Sequence, residues 1–297
     1  MLVVVDNFFM IDDSPNKRGY VELRAYAKIN LFLDVLGKMD GGFHSIRTLF
    51  SEIELYDNLK FSLTRYHDIK LLSDIKNLAI KDNLIFKIAV FIQAKYSVRY
   101  GAKINLKKNI PIAAGLGGGS SDAAATIRGL NRLWELKMTK EDMYVIAQRF
   151  GSDISFFITG YQAIGTGRGE IIQPLQSYIE MNDILLVNPN FPISSHEAYD
   201  TVNITSPNLN LPKLLETKNY EYCYNKLEEG ILKTYPILNE IYDMLIQNEA
   251  KKVMLSGSGP TIIGFFDNRN SCCKALRLFR KKGFWSYKTS IRRRQIK

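Results

Sequence analysis

Cysteine is scarce in this chain. Three occur in 297 residues, at Cys223, Cys272 and Cys273. An odd count that includes a neighbouring pair does not make a disulfide framework, and the spacing matches no metal site. A reducing compartment, the cytoplasm, is the expected location. No apolar run approaches the roughly 20 residues that cross a bilayer, so no membrane partner is expected. Met1–Asp6 lacks a basic segment and is broken by acid, which is not a signal-peptide pattern. Met10 offers an alternative start. Internal repeats and low-complexity tracts are absent.

The remaining composition is that of an ordinary soluble globular protein, 46% hydrophobic and 24% charged. The length suits two ordinary domains or one large one. A net charge of +10 suits a polyphosphate ligand or nucleic acid. Part of the excess is local, in Arg292, Arg293, Arg294 and Lys297. Such a tail reads as a solvated end.

The central feature is Ile110-Pro111-Ile112-Ala113-Ala114-Gly115-Leu116-Gly117-Gly118-Gly119-Ser120-Ser121-Asp122. A strand pattern precedes it and a helical pattern follows. Glycines let the backbone approach a ligand closely. Ser120 or Ser121 suits a helix N-cap, and the open N–H groups of a helix start attract an anion. A Walker loop is excluded, because no lysine follows Gly119. The dinucleotide pattern G-x-G-x-x-G fails at Ser120, and the loop sits a third of the way along the chain.

Around the loop the periodicities are clear. Apolar residues at odd positions from Val21 to Val35 predict a strand with Lys28 and Asn30 on its non-core face. A turn at Gly37–Gly42 leads to a second strand over Ser45–Leu55, then a loop and a short strand near Lys60–Leu63. Asp82-Asn83 precedes a helix carrying Leu84, Ile88, Phe91 and Ile92. Thr139 and Asp142 form a capping box, Gly151 ends that helix, and Ser152-Asp153 starts a new turn of helix. Gly165–Glu170 is a second glycine-rich turn. Further on, a helical pattern spans Leu214–Leu232, and Pro236 opens another helix. Strands at Val253–Leu255 and Ile262–Phe266 flank the turn Ser256–Pro260, which is either a plain hairpin or a support for the glycine loop. Residues 1–20 carry a loop signal at Asp12–Asn16 and no clear period.

Four motifs occur in order: Ala25–Leu31, the glycine loop, Gly151-Ser152-Asp153 and Leu255–Gly259. Together they resemble the GHMP kinases, named for galactose, homoserine, mevalonate and phosphomevalonate. The resemblance covers about residues 21 to 285. It implies an α+β fold of two domains, an N-terminal nucleotide-binding domain (1–178) and a smaller C-terminal α/β sandwich (179–297). ATP is the implied phosphate donor, with Mg²⁺. Pro111 to Ser121 match the family's phosphate loop, and Asn83 and Lys108 match weaker nucleotide-side positions. Lys28 resembles the family's catalytic lysine and Asp153 its catalytic aspartate. Read on their own, Lys28 is a solvated strand lysine and Asp153 serves equally as a helix cap.

The block from Lys28 to Phe50 is similar to members that phosphorylate the methylerythritol part of a CDP-linked substrate in the non-mevalonate isoprenoid route. There Phe43, His44 and Tyr199 match the cytosine pocket, and Asn30 a substrate contact. Tyrosine is common where Phe43 stands, proline where Tyr26 stands and alanine where Pro260 stands. His67 and His196 have no assigned role. The alternatives are another GHMP kinase, of mevalonate or homoserine type, and a non-catalytic nucleic-acid-binding relative. Phe43, His44 and Tyr199 argue against the first, and the presence of both Lys28 and Asp153 against the second. The sequence leaves metal ligands and oligomeric state open.

Overall fold

A computed structural model describes residues 19–75 and 80–293. The loop signal at Asp12–Asn16, the alternative start at Met10, and Arg294 and Lys297 lie outside the described residues.

The molecule assembles on one strand, β1 (Tyr20–Lys38). Its odd-numbered apolar residues pass through three cores in turn. Val21 and Ala25 enter the first, Ala27, Ile29 and Leu31 the second, and Leu33 and Val35 the third. β1 pairs antiparallel with β2 (His44–Thr64). The expected loop in the middle of β2 is absent. Its polar residue Asp57 is fully buried instead, where its carboxylate accepts the N–H groups of Asn109 and Ile110.

The first half continues with β3 (Ile69–Ser73), α1 (Leu84–Lys95), β4 (Gly101–Lys107), α2 (Gly118–Leu133), α3 (Lys140–Phe150), α4 (Ile154–Thr159), β5 (Gln162–Thr166) and β6 (Ile171–Pro174). Asn83 caps α1 by accepting from the Ile85 N–H, and the Thr139–Asp142 capping box on α3 forms as predicted. Gly151 follows α3 with φ 168°, extended rather than in the left-handed C′ conformation. The second half holds β7 (Ile184–Asn188), α5 (Ser195–Asp200), α6 (Asn210–Thr217), β8 (Tyr224–Asn225), α7 (Glu228–Thr234), α8 (Pro236–Gln247), β9 (Lys252–Leu255), β10 (Ile262–Phe265), α9 (Arg269–Lys281) and β11 (Trp285–Thr289). The helical stretch predicted over Leu214–Leu232 is thus four pieces, α6, a 3-10 turn at Tyr220–Tyr222, β8 and α7. β8 interrupts it because Tyr224 and Asn225 pair in parallel with Phe32 and Leu33 of β1.

One sheet runs β3-β4-β2-β1-β8, with β5 joining β2 to β6; the other runs β11-β7-β10-β9. The second sheet is buried on both faces. Ile184 and Leu186 of β7 face the core shared with β1, while Leu185 and Val187 face α8 and α9. β1 departs from the half-exposed strand its alternation predicts, because its polar face is covered as well. Gly117, Phe157 and the Gly257 turn close around Lys28 and Asn30, and the Asn208 N–H donates to Asp34, so the three are only 5%, 2% and 2% exposed.

The basic tail also departs from expectation at its first residue. Arg292 is not solvated: it bonds Glu52 Oε2 at 2.6 Å, and its guanidinium lies 3.8 Å from the Tyr26 ring centroid and 4.4 Å from that of Tyr161. Tyr26, in place of the family's common proline, supplies one of those faces. Glu52 is 3% exposed, so removing its partner strands a buried charge. Arg292→Ala should therefore cost about 3 kcal/mol of stability, read as a lower urea midpoint. An unchanged midpoint would show the pair to be unimportant.

Candidate functional site

The glycine loop joins β4 to α2, and three anchors fix it. At its entrance Asp57 holds the Asn109 and Ile110 N–H groups and accepts from the Lys108 ammonium. In its middle the Lys28 N–H donates to the Leu116 carbonyl at 2.9 Å. On its outer side the Ser256 hydroxyl donates to the Gly115 carbonyl at 3.1 Å. The turn Ser256–Pro260 is therefore a support for the loop rather than a plain hairpin.

The helix starts earlier than the serines imply. Gly117, with φ 67°, is the N-cap, and α2 begins at Gly118. Ser120 and Ser121 lie inside the first turn. Glycine is required at 117 because a Cβ there would come within 2.9 Å of Lys28 Cγ and Phe157 Cζ. The Ser121 N–H already donates to the Gly117 carbonyl, whereas the N–H groups of Gly118, Gly119 and Ser120 precede the first intrahelical bond, which makes the turn an anion site.

A cleft of about 730 Å³ opens beside the loop. Every site residue predicted from the sequence lines it except Leu116 and Ser121, which are buried behind it. Lys28 Nζ donates to Asn30 Oδ1 at 2.7 Å and lies 3.8 Å from Asp153 Oδ2. Burial lowers the Lys28 pKa, and the Asp153 charge opposes that shift. Asp153 precedes α4 but makes no side-chain cap bond, so it is not the cap that its position suggested. Its carboxylate is one-third exposed.

Elsewhere in the cleft, His44 and Tyr199 stack with centroids 5.1 Å apart and planes 19° apart. His44 Nε2 is buried and has no hydrogen-bond partner. Burial and the nearby Lys38 charge lower the His44 pKa, so its neutral imidazole is favoured. Burial raises the Tyr199 pKa. Phe43 is 48% exposed, and the Arg168 guanidinium lies 4.5 Å from its ring centroid. The described geometry leaves His67 and His196 without a part in this arrangement, although His196 is at the cleft edge, paired with Asp200.

Lys108 is more constrained than a free nucleotide contact. Its side chain is 10% exposed and its ammonium is shared between Asp57 and Asp122, at 2.9 Å from the latter. Burial and the neighbouring Asp57 raise the Asp122 pKa, against the pull of Lys108. Asp122 Oδ1 is buried without a partner. Asn83 lines the cleft while its Oδ1 caps α1.

Sequence reasoning gave no role to Asp57, Thr48 or Arg168. Arg168 sits in the second glycine-rich turn, which was visible. Asp57 and Thr48 gave no local signal, since each acts on residues brought near only by folding. Among the described residues there is no cluster of three His, Cys, Asp or Glu side chains arranged for a metal, and no helix long and apolar enough to cross a membrane.

Comparison with known proteins gives a consistent picture. Residues 83–161 match the GHMP kinases N terminal domain, and residues 203–279 the GHMP kinases C terminal domain. A 4-diphosphocytidyl-2-C-methyl-D-erythritol kinase of Thermodesulfovibrio yellowstonii is 37% identical over 88% of this chain and 94% of its own length. One of Prochlorococcus marinus is 37% identical over 90% and 94%. A crystal structure of 4-(cytidine 5'-diphospho)-2C-methyl-D-erythritol kinase superposes with TM-score 0.80 at 26% identity, covering 92% of this chain and all of the other. A homoserine kinase from Cytophaga hutchinsonii shares the fold, with TM-score 0.69 at 14% identity over 94% and 96% of the two chains.

The close contact at Gly117 has a measurable consequence. Gly117→Ala adds left-handed strain and crowding against Lys28 and Phe157, so it should cost about 2 kcal/mol. Thermal melting should show the loss; a melting temperature equal to that of the wild type would contradict the tight contact.

Proposed function

This chain belongs to the GHMP kinase family, and we propose that it transfers the γ-phosphate of ATP to a hydroxyl of 4-diphosphocytidyl-2-C-methyl-D-erythritol, in the non-mevalonate isoprenoid route. The observation that carries this reading is the contents of one cleft: a phosphate-type loop, a Lys28–Asp153 pair, and a His44–Tyr199 stack with an unsatisfied imidazole nitrogen.

Phosphoryl transfer asks chiefly for positioning and charge stabilisation. The first-turn N–H groups of α2 hold the donor phosphates. Asp153 accepts the proton of the attacking hydroxyl. Lys28, held rigidly beside it, stabilises charge on the transferring group. On the acceptor side a flat base fits against the His44, Tyr199 and Phe43 rings, and its edge satisfies His44 Nε2. Arg168 supplies a cation close to that base. Mevalonate and homoserine have no aromatic ring to occupy these residues, which is why we favour the CDP-linked acceptor over them.

The family implies a divalent cation. Asp122 Oδ1, buried and unpartnered at the cleft, is a hard oxygen donor that fits Mg²⁺. Asp122 would hold it. Bound there with ATP, it would neutralise charge on the phosphate oxygens. We further propose residues 1–178 as the donor-holding part and 179–297 as the covering part. The charged substrates do not cross bilayers unaided, which supports a cytoplasmic location.

A coupled kinase assay run in parallel with the CDP-linked acceptor, mevalonate and homoserine should give turnover with the first alone. Turnover of either other compound without the first would overturn the reading. Asp153→Asn should bind ATP almost normally, by calorimetry, and lose about 10²–10⁴-fold in kcat; wild-type turnover would remove its role as base. The acceptor KM should rise as pH falls, and do so below the ordinary histidine range, because burial and the Lys38 charge lower the pKa at which His44 takes up a proton. A KM insensitive to pH through that range would exclude neutral His44 as the contact.

A further inference from the structure

We propose that Thr48 is a positioning residue for phosphoryl transfer: its hydroxyl dictates which way the Asn30 amide faces, and Asn30 in turn holds the Lys28 ammonium. The proposal rests on the kinase reading for its consequence in turnover, and on the geometry alone for the hydrogen-bond relay.

The relay has three links, each 2.7 Å long. Thr48 Oγ1 donates to the Phe32 carbonyl, Asn30 Nδ2 donates to Thr48 Oγ1, and Lys28 Nζ donates to Asn30 Oδ1. All three side chains are buried, Thr48 completely. A hydroxyl has a single proton. Thr48 gives its proton to a backbone carbonyl that can only accept. Its oxygen is therefore left as an acceptor toward Asn30, which must present its NH2 group there. That orientation turns the amide oxygen toward Lys28. An ammonium has donors only, so the opposite orientation would set NH2 against NH3⁺ and oxygen against oxygen. One backbone carbonyl thus fixes the polarity of the whole chain.

The fold makes this reach possible. The β1–β2 register shifts between Asn30 and Phe32, where Thr48 stands opposite Leu33. The bulge brings both the Phe32 carbonyl and the Asn30 side chain within reach of one hydroxyl. On the far side the Gly257 turn closes over the pair. A Cβ built at Gly257 would lie 3.1 Å from Lys28 Nζ and 3.2 Å from Asn30 Oδ1. Water therefore has little room to replace a lost bond. Asp153 stands 3.8 Å from the ammonium, beyond hydrogen-bond length, so Asn30 rather than Asp153 holds Lys28 in place.

The test compares Thr48→Val, which keeps shape and removes the hydroxyl, with Thr48→Ser, which keeps the hydroxyl. Thr48→Val should lower kcat about tenfold with the ATP KM within about twofold of wild type, since a misplaced catalytic group slows chemistry more than binding. Thr48→Ser should recover most of that loss. In an Asn30→Ala background Thr48→Val should bring no further loss, because the two residues act through one path. A merely structural role predicts losses that multiply, and that result would overturn the proposal. A readout independent of turnover is the side-chain NH2 signal of Asn30 by NMR. The proton facing residue 48 should keep its chemical shift in Thr48→Ser and move upfield in Thr48→Val, where it loses its acceptor. An unchanged shift in all three would overturn the relay. If the wild type turned over none of the acceptors, the substrate reading would fall while the NMR result still decided the relay. Should Thr48→Val not fold, Thr48→Ala serves in both measurements with the same expected outcomes.

Discussion

A buried ammonium constrains the whole molecule. Lys28 sits on a strand that is covered on both faces, and a charge in that position is tolerated only where partners and hydrogen bonds surround it. Its backbone N–H pins the glycine loop, its side chain presses against Gly117, and its head group is held by Asn30 with Asp153 close by. These contacts come from β1, the glycine loop and the segment before α4, and the Gly257 turn closes over them. None of these elements can shift without exposing or stranding the charge. The site is rigid for that reason, and rigidity is what a reaction governed by positioning needs.

A second buried cluster performs the same service one layer below. Two carboxylates, Asp57 and Asp122, share one lysine, Lys108. Asp57 also accepts two backbone N–H groups, which satisfies its charge and ties the loop entrance to β2. Asp122 is left with an unpartnered oxygen close to where the donor phosphates would lie. Burial raises the Asp122 pKa, so with one lysine for two acids this second carboxyl resists ionisation.

Much of this was legible in the sequence where the signal is local. The glycine loop, the α1 and α3 caps and the alternation of β1 follow from residues a few positions apart. Lys28, Asn30, His44, Asp153 and Tyr199 were reachable through the family likeness, and the structure brings them to one cleft. What the sequence hid is what folding brings together from afar. The polar face of β1 reads as solvated because its cover comes from residues more than 200 positions later, at Gly257. The stretch after Leu55 reads as a loop because nothing nearby announces the backbone groups that Asp57 will accept. Arg292 reads as a loose end because Glu52, Tyr26 and Tyr161 are all distant in sequence. Leu214–Leu232 reads as helix because two residues of strand pairing, at β8, are too short to leave a period.

The two-residue strand β8 has a consequence for dissection of the molecule. It belongs by sequence to the second half but completes the edge of the first sheet, beside Phe32 and Leu33. The first half therefore ends in a borrowed edge. Cut after residue 178, it would lose that strand, the second-sheet residues that cover Ile29 and Leu31, and Arg292 from Glu52. What remained would be an apolar, unpaired sheet margin of the kind that recruits other chains. The two halves are better regarded as interleaved parts of one folding unit than as modules that evolution or the laboratory could exchange freely.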